Sequence, residues 1–255
     1  MGIVSIAGDA CTTTSVALAS SWPISDDIVL VEADPAGGDM AAWFDMPVAP
    51  SLSTVVTRVL DGAWPEIERL TRLAPSGLRV IPAPARAGEA RQAVEESARS
   101  LLPTLASLRS PITIADTGAL ATSPAAHPVV RAAAVTIVVH RQSPQSSPAA
   151  AVRLQRLADQ LESLASSASA IVVAVIGAAP FTIDEIESFL SDNVGINAVA
   201  GLPVDDLAAS VFGGRAGVSE RRLARLPLMK AARGLALVAE RSLAEATDGL
   251  WRAAR

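Results

Sequence analysis

Short hydrophobic runs alternate with longer helical segments along this whole chain, and this alternation limits the fold more than any other feature. Each run has four to six residues, is rich in valine and isoleucine, and is almost continuously apolar. That pattern is typical of strands buried on both faces of a parallel sheet. The runs cover residues 3–7, 28–33, 78–81, 112–115, 135–139, 171–176 and 196–200.

Segments with the spacing of amphipathic helices separate these runs, for example residues 87–108, 148–166 and 182–191. The alternation predicts an α/β fold, a three-layer α/β/α sandwich whose sheet is mostly parallel and doubly wound. No linker divides the chain, so residues 1–255 are expected to form one domain. The last helix is expected at about residues 228–254.

Composition narrows the class of protein. Half of the residues are hydrophobic but only 3% are aromatic, which favours a core of aliphatic side chains. The net charge of −5 gives no overall electrostatic preference for nucleic acid. A single cysteine, no apolar run of membrane-spanning length and no basic signal segment predict a cytoplasmic protein.

The turn after the first strand has the layout of a phosphate-binding loop. A strand at residues 3–6 leads into a loop at residues 7–14, and a helix is expected to begin at Ser15. The loop contains Gly8, Asp9, Ala10, Cys11, Thr12, Thr13 and Thr14. The N-terminus of such a helix offers unpaired amides to an anion. In a working loop a lysine also contacts the phosphates, but the only lysine of this chain is Lys230. A threonine-rich helix cap with a purely structural role is the alternative.

Acidic residues follow two further strands. Glu32 and Asp34 end the second run, in the sequence Val-Glu-Ala-Asp-Pro-Ala-Gly-Gly-Asp, and Asp116 ends the fourth. The two segments resemble acidic boxes of the MinD/ParA family of P-loop ATPases, which implies that Asp34 and Asp116 would help to hold the water shell of Mg²⁺. An acidic turn at Asp34 is the structural alternative. A later segment, Gly-Leu-Pro-Val-Asp-Asp, contains Pro203.

In order and spacing these segments resemble the MinD/ParA family of deviant Walker A P-loop ATPases, whose loop reads K-G-G-x-G-K-T-T. On that pattern Ala7 and Thr12 replace the two lysines, and Asp9 and Cys11 replace two glycines. Thr13 and Thr14 keep the threonine pair. The chain also resembles the TadZ/CpaE-like relatives of pilus and secretion systems, some of which have a similar loop and acidic box.

The resemblance implies a site for ATP or ADP with Mg²⁺, weakened or lost. The cofactor-binding residues would be Gly8, Asp9, Ala10, Cys11, Thr12, Thr13, Thr14 and Pro203. The metal would be held by Thr13, Asp34 and Asp116, and in an active enzyme Asp34 would be the catalytic carboxylate. Asp9 would add a negative charge near the phosphates, and the sequence leaves open whether ATP is hydrolysed.

The function expected from this resemblance is a homodimeric positioning or scaffold factor for a pilus, secretion or partition machinery. One alternative is an ATP-dependent dimerisation switch with an atypical loop. The other is a DNA-binding partition protein, which the charge does not favour. Membrane contact is expected to be peripheral at most, and a partner could recruit the protein to the membrane or the pole. The C-terminal helix either binds membrane, as in MinD, or packs on the sheet.

Three smaller expectations concern single residues or clusters. Arg215, Arg221, Arg222 and Arg225 lie in a segment that would return near the loop in this fold and could replace a lysine; a solvated surface cluster is the alternative. Cys11 stands at a helix N-terminus, where a thiol pKa can be lowered. The two histidines, His127 and His140, are expected to have structural roles.

Overall fold

The structure is a computed structural model that describes residues 2–23, 27–59, 64–108, 110–120, 127–142, 146–165 and 170–253, with side chains as far as residue 246. Within these ranges a single eight-stranded sheet is covered by helices on both faces. The strands are β1 (Ile3–Gly8), β2 (Ile28–Glu32), β3 (Arg72–Leu73), β4 (Arg79–Ile81), β5 (Ile112–Asp116), β6 (Ala133–Arg141), β7 (Ala170–Ile176) and β8 (Ala198–Leu202). The helices are α1 (Cys11–Ala19), α2 (Met40–Trp43), α3 (Leu52–Arg58), α4 (Trp64–Leu70), α5 (Ala87–Ser97), α6 (Leu101–Ser107), α7 (Pro128–Ala132), α8 (Ser147–Ala165), α9 (Ile183–Asn193), α10 (Asp206–Phe212), α11 (Glu220–Leu223) and α12 (Pro227–Ala253).

The strand order is β3-β4-β2-β5-β1-β6-β7-β8, and every neighbouring pair is parallel except β3 and β4. The chain therefore winds outward from β1 in both directions, which confirms the predicted doubly wound sandwich. In such sheets ligands bind beyond the carboxyl ends of the strands, where the order reverses. That point is the end of β1.

Alternating side chains of each strand supply the two faces of the sheet, which explains why the runs are apolar without interruption. In β7, Val172 and Ala174 pack in the same cluster as residues of α1 and α12. Val173 and Val175 belong to a different cluster, together with residues of α8 and α9. All of these side chains are fully buried.

The seven predicted strands are all present. The short antiparallel edge strand β3 was not predicted, because two residues give no detectable periodicity. The segment predicted to be helical at residues 87–108 forms two helices: α5 ends at Ser97 and α6 begins at Leu101. Pro103 explains the break, since a proline is tolerated in the first turn of a new helix but not in the interior of a longer one.

The C-terminal helix α12 packs against α1 and against strands β6 to β8. Leu235 and Leu243 are buried in this contact and Val238 is partly buried, which supports the packing interpretation. Two further apolar residues of this helix, Leu250 and Trp251, are not among the residues whose side chains the structure describes. Within the described part of the chain, no helix is long and apolar enough to span a membrane.

Candidate functional site

The loop between β1 and α1 is very short and is tied to both neighbouring strands. The Gly8 amide donates to the Gly118 carbonyl and the Asp9 amide to the Val139 carbonyl, both at 2.9 Å. Gly8 has φ +114°, and a Cβ there would lie 2.2 Å from the Val139 oxygen. Only glycine fits this approach. Ala10 adopts the left-handed conformation with φ 51°.

Helix α1 begins without a cap. Ala10 provides no side-chain acceptor, and the amides of Cys11, Thr12 and Thr13 have no acceptor among the described residues. Helix α9 shows the contrast, because Thr182 and Glu185 form a reciprocal capping box there. Three free amides and the helix dipole make the start of α1 a suitable cradle for an anion.

The three threonines of the loop differ in what their hydroxyl groups contact. The Thr14 hydroxyl donates to the Ala10 carbonyl at 3.0 Å and is therefore committed to the helix. The Thr12 side chain lies beside the Asp116 carboxylate and lowers its pKa, but the two form no hydrogen bond of normal geometry. Thr13 is half-buried, and its hydroxyl has no partner among the described residues. Thr13 is thus the hydroxyl left for a ligand.

Asp116 is fully buried at the end of β5. Its Oδ1 accepts from the Gly118 amide at 3.1 Å, while its Oδ2 has no hydrogen bond of normal geometry among the described residues. Burial raises the pKa of Asp116, and the neighbouring Asp34 charge adds to this; the Thr12, Cys11 and Gly118 groups oppose it. A buried carboxylate oxygen without a partner is a position that a cation or its water shell would satisfy.

Asp34 meets Asp116 at the same edge of the sheet. Its Oδ1 accepts from the Ala36 amide at 2.7 Å, which forms the acidic turn expected as the structural alternative. No group of three or more His, Cys, Asp or Glu side chains among the described residues is arranged to hold a metal. Two carboxylates and the Thr13 hydroxyl, completed by water and phosphate oxygens, still match the oxygen coordination that Mg²⁺ prefers. These residues therefore fit the implied metal.

Glu32 lies at the second acidic position of the box but does not face this site. Its Oε1 accepts from the amides of Asp39 and Met40, and its Oε2 from the amide of Ala83, at 2.8 to 3.0 Å. Burial raises its pKa to about 7, against the opposing effect of these three donors. Glu32 anchors the segment after Asp34, a role that no sequence pattern indicates.

The expected lowering of the Cys11 pKa is wrong. Cys11 is only 7% exposed, and burial, followed by the charge of Asp116, raises the thiol pKa well above its usual range. Desolvation and a neighbouring carboxylate both disfavour the thiolate, and here they outweigh the helix dipole. Cys11 is a buried packing residue at the start of α1.

Pro203 is separated from the loop. It follows β8, which lies three strands from β1, so the two are about 14 Å apart along the sheet. Nearby, the buried Gln142 side chain donates to the carbonyls of Gly177 and Phe181 and accepts from the Phe181 amide. The loop after β7 is therefore fixed, and Gln142 is a positioning residue that the sequence did not reveal.

Solved structures with similar folds place this site in a known architecture. A ParA family ATPase from Chlorobium tepidum aligns with a TM-score of 0.67 and 17% identity, over 92% of this chain and 97% of that protein. The cell division ATPase MinD of Pyrococcus furiosus gives 0.67 and 15%, over 98% and 100%. The chain has the fold of ParA and MinD.

A more distant match carries a bound nucleotide. Cobyrinic acid a,c-diamide synthase from Mycobacterium smegmatis, solved with an ATP analogue and magnesium, has a TM-score of 0.58 and 13% identity, over 92% of each chain. No protein-family model matches the sequence, and no curated protein sequence matches it significantly. The likeness is one of fold.

On this ParA/MinD fold, the expectation that Arg215, Arg221, Arg222 and Arg225 return near the loop is wrong. Residues 211–224 border a cleft together with Ser20 and with the first residues of β2 and β4. Ser20 follows the last residue of α1, and strands β2 and β4 begin at the edge of the sheet away from the loop. The cluster therefore lies at the opposite end of α1 from the loop.

Other arginines do lie near the loop. Arg153 and Arg156 on α8 line a cavity of about 280 Å³ together with Gly8, Asp9 and His140. Asp9 turns toward this cavity: its Oδ2 accepts from the Arg141 amide at 2.9 Å. The sequence held one usable signal, two arginines three residues apart on a helix that follows the strand next to β1.

The two histidines contact the edges of the site. His127 accepts from the Val129 amide through Nδ1 at 3.3 Å and caps α7, while its Nε2 lies 3.2 Å from the Ala33 carbonyl. Since Nδ1 is the acceptor, Nε2 carries the proton and donates. Burial lowers the pKa of His127 and of His140. His127 has the structural role that was expected, whereas His140 borders the cavity beside Gly8.

Proposed function

We propose that this chain is a MinD/ParA-like homodimeric scaffold or positioning factor whose nucleotide site is degenerate, binding Mg²⁺-ATP or ADP weakly and turning it over little. One observation carries the proposal: the α1 cradle and the Asp116 carboxylate are in place, but no lysine stands on the loop. The anion would be held by backbone amides and by Mg²⁺ alone.

The energies of the missing lysine contacts support weak binding of the nucleotide. A hydrogen bond to a charged group contributes about 1.5–3 kcal/mol, so lacking two lysine contacts lowers affinity by roughly two to four orders of magnitude. The loss of one charge-stabilising donor typically reduces a catalytic rate by about 10²–10³. The role of such a chain would then be carried by its surface and by its partner, which we propose to be a protein of a pilus, secretion or partition machinery, as in TadZ/CpaE-like proteins.

The test is calorimetric titration of the purified chain with Mg²⁺-ATP, together with a phosphate-release assay and light scattering. We expect at most weak binding, negligible turnover and a dimer whose stability does not depend on nucleotide. Tight binding with turnover, or a dimer that forms only with ATP, would establish the ATPase switch instead.

A variant that restores a lysine to the loop tests the assignment of the loop as a phosphate site. Thr12→Lys places a lysine at the position of the missing loop cation and should increase affinity for Mg²⁺-ATP by about tenfold or more. Thr12→Gln, of similar length but uncharged, is the matched control and should not. If both variants behave like the parent, residue 12 is not at the phosphate and the assignment of the loop is wrong.

Exposed basic residues keep the DNA-binding partition protein as a second candidate. Arg221, Arg222, Arg225, Lys230 and Arg233 are all exposed. A patch that contacts DNA phosphates predicts binding to nonspecific duplex that weakens steeply with salt. Fluorescence anisotropy between 50 and 200 mM salt, roughly the range over which such contacts are lost, would decide this alternative.

A further inference from the structure

We propose that the cavity between the loop and α8 is a second anion site, in which Arg153 and Arg156 bind a phosphate group and Asp9 accepts a hydrogen bond from its protonated oxygen. This site goes beyond the proposed nucleotide function. It needs neither ATP nor a Mg²⁺ ion.

The two guanidinium groups are available for a ligand. Arg153 and Arg156 are exposed, lie one turn apart on α8, and have no hydrogen bond or ion pair among the described residues. On the adjoining face of α8, Leu154, Leu157 and Leu161 are buried in the core and fix the rotation of the helix. The helix therefore holds both arginines toward the cavity. Arginine is suited to phosphate because its planar fork donates two parallel hydrogen bonds.

The cavity lies on a different side of the loop from the α1 cradle. Helix α1 packs on one face of the sheet and α8 on the other. The cavity is lined by Gly8 and Asp9 but not by Cys11, Thr12 or Thr13. An anion held by the arginines would therefore not occupy the position of one held by the free amides of α1.

Asp9 determines which anion fits. Its Oδ2 is committed to the Arg141 amide, and its Oδ1 has no partner among the described residues. Neither arginine comes within ion-pair distance of it. A carboxylate in this position repels an anion without protons but accepts a hydrogen bond from a protonated one.

Phosphate satisfies this requirement below its second pKa, which is about 6 for a phosphate monoester, because the monoanion there still carries a proton that it can donate to Asp9. Sulfate has the same shape but no proton to donate. His140 also borders the cavity and, as an imidazole, adds no second negative charge; its pKa is lowered by burial and by Arg153 against the effect of Asp9. The ligand class is therefore inorganic phosphate or a phosphomonoester.

The test is calorimetric titration of the full chain at pH 5.5, where the phosphate probes carry a proton, without nucleotide or Mg²⁺ and with inorganic phosphate and sodium sulfate as probes at equal ionic strength. We expect phosphate to bind at least about tenfold more tightly than sulfate. The double variant Arg153→Gln/Arg156→Gln should lose at least about tenfold in phosphate affinity. Asp9→Asn should reduce the preference for phosphate over sulfate toward one.

Control variants test whether phosphate binds at this site and not elsewhere on the protein. Arg91→Gln/Arg241→Gln removes the same charge from two other exposed helix positions and should leave phosphate binding unchanged. Thr13→Ala should also leave it unchanged, whereas it should weaken Mg²⁺-ATP. Glycerol phosphate is a third probe, and its affinity is compared with that of inorganic phosphate. Tighter binding of either one supports the site, because both present the same phosphate group.

The proposal is overturned if phosphate gives no heat at millimolar concentration, if sulfate binds equally well, or if the two double variants weaken phosphate binding alike. Loss of phosphate binding in Thr13→Ala would place the anion in the α1 cradle instead. Failure of the nucleotide proposal looks different, because it appears in the Mg²⁺-ATP titration and leaves the phosphate result intact.

Discussion

The carboxylate of Asp34 lies directly over the Cα of Gly118. A Cβ at residue 118 would come within 2.3 Å of Asp34 Cγ and within 2.5 Å of both carboxylate oxygens. Gly118 also has φ +76° and is therefore in the left-handed region. The absence of a side chain at this position lets the segment after β2 close over the end of β5, which brings Asp34 next to Asp116.

Substitution of Gly118 by alanine should therefore disturb the site. We expect Gly118→Ala to lower the free energy of unfolding by about 1–2 kcal/mol for the backbone conformation alone, plus the cost of displacing Asp34. Urea denaturation measures the loss. Gly88→Ala is the control, because nothing lies within 4 Å of its added Cβ in α5 and the change should stabilise slightly. Equal effects of the two variants would contradict the close contact.

Asp116 should reduce the stability of the protein when no ligand is bound. Because burial raises its pKa, the folded state favours the protonated acid, and wild-type stability from this group rises as the pH falls. Asp116→Asn should therefore stabilise the ligand-free protein by about 1–2 kcal/mol at pH 8, with a smaller gain at lower pH. Thermal denaturation tests this, with the exposed Asp192→Asn as control. A destabilised variant would show that the carboxylate is already satisfied by the protein.

Glu32 should give stability a pH dependence of defined sign. Its pKa is raised from 4.5 to about 7 in the folded protein. Between these values the folded state retains a proton that the unfolded state releases, so stability falls as the pH rises through this window and then levels off. Relative to Glu32→Gln, which cannot titrate, the wild type should lose about 3 kcal/mol between pH 4.5 and 8.

Urea denaturation at several pH values in this window measures the difference between these two proteins. Glu185 provides a control of opposite sign, because hydrogen bonds to Thr182 lower its pKa. Its contribution should be present at neutral pH and be lost as the pH falls through its lowered pKa. A wild type that parallels Glu32→Gln at every pH would mean that Glu32 is not buried as described.

Cys11 should be chemically inert in the folded protein. Its burial and raised pKa leave almost no thiolate at pH 7.5, where a free cysteine has roughly 10%. Alkylation by iodoacetamide should be at least about a hundredfold slower than in urea-unfolded chain. Mass spectrometry gives an unambiguous readout, because the chain has one cysteine. Comparable rates in the two states would show that the start of α1 opens readily.

A residue's environment could be predicted from the sequence where it follows from the residue's own strand. The apolar runs identified every strand except β3, because a strand buried on both faces must be apolar at every position. The same runs predicted that Gly8, Asp34 and Asp116 stand at the carboxyl edge of the sheet. Parallel strands bring their carboxyl ends to one edge, so this much of the site needed only the order of the elements.

The roles of individual groups depended on contacts between distant segments. The sequence places Glu32 two residues before Asp34 in one acidic box, but the tertiary structure turns Glu32 into the core and leaves Asp34 beside Asp116. From the sequence, a compensating arginine among residues 215–225 and a solvated surface cluster were both open, whereas the fold brings Arg153 and Arg156 to the loop from α8. The missing lysine and the layered α/β fold were determined by the sequence alone. Burial, and the packing of one segment against another, decided which charges meet, because a side chain's pKa and partners are set by neighbours that lie far away in the chain.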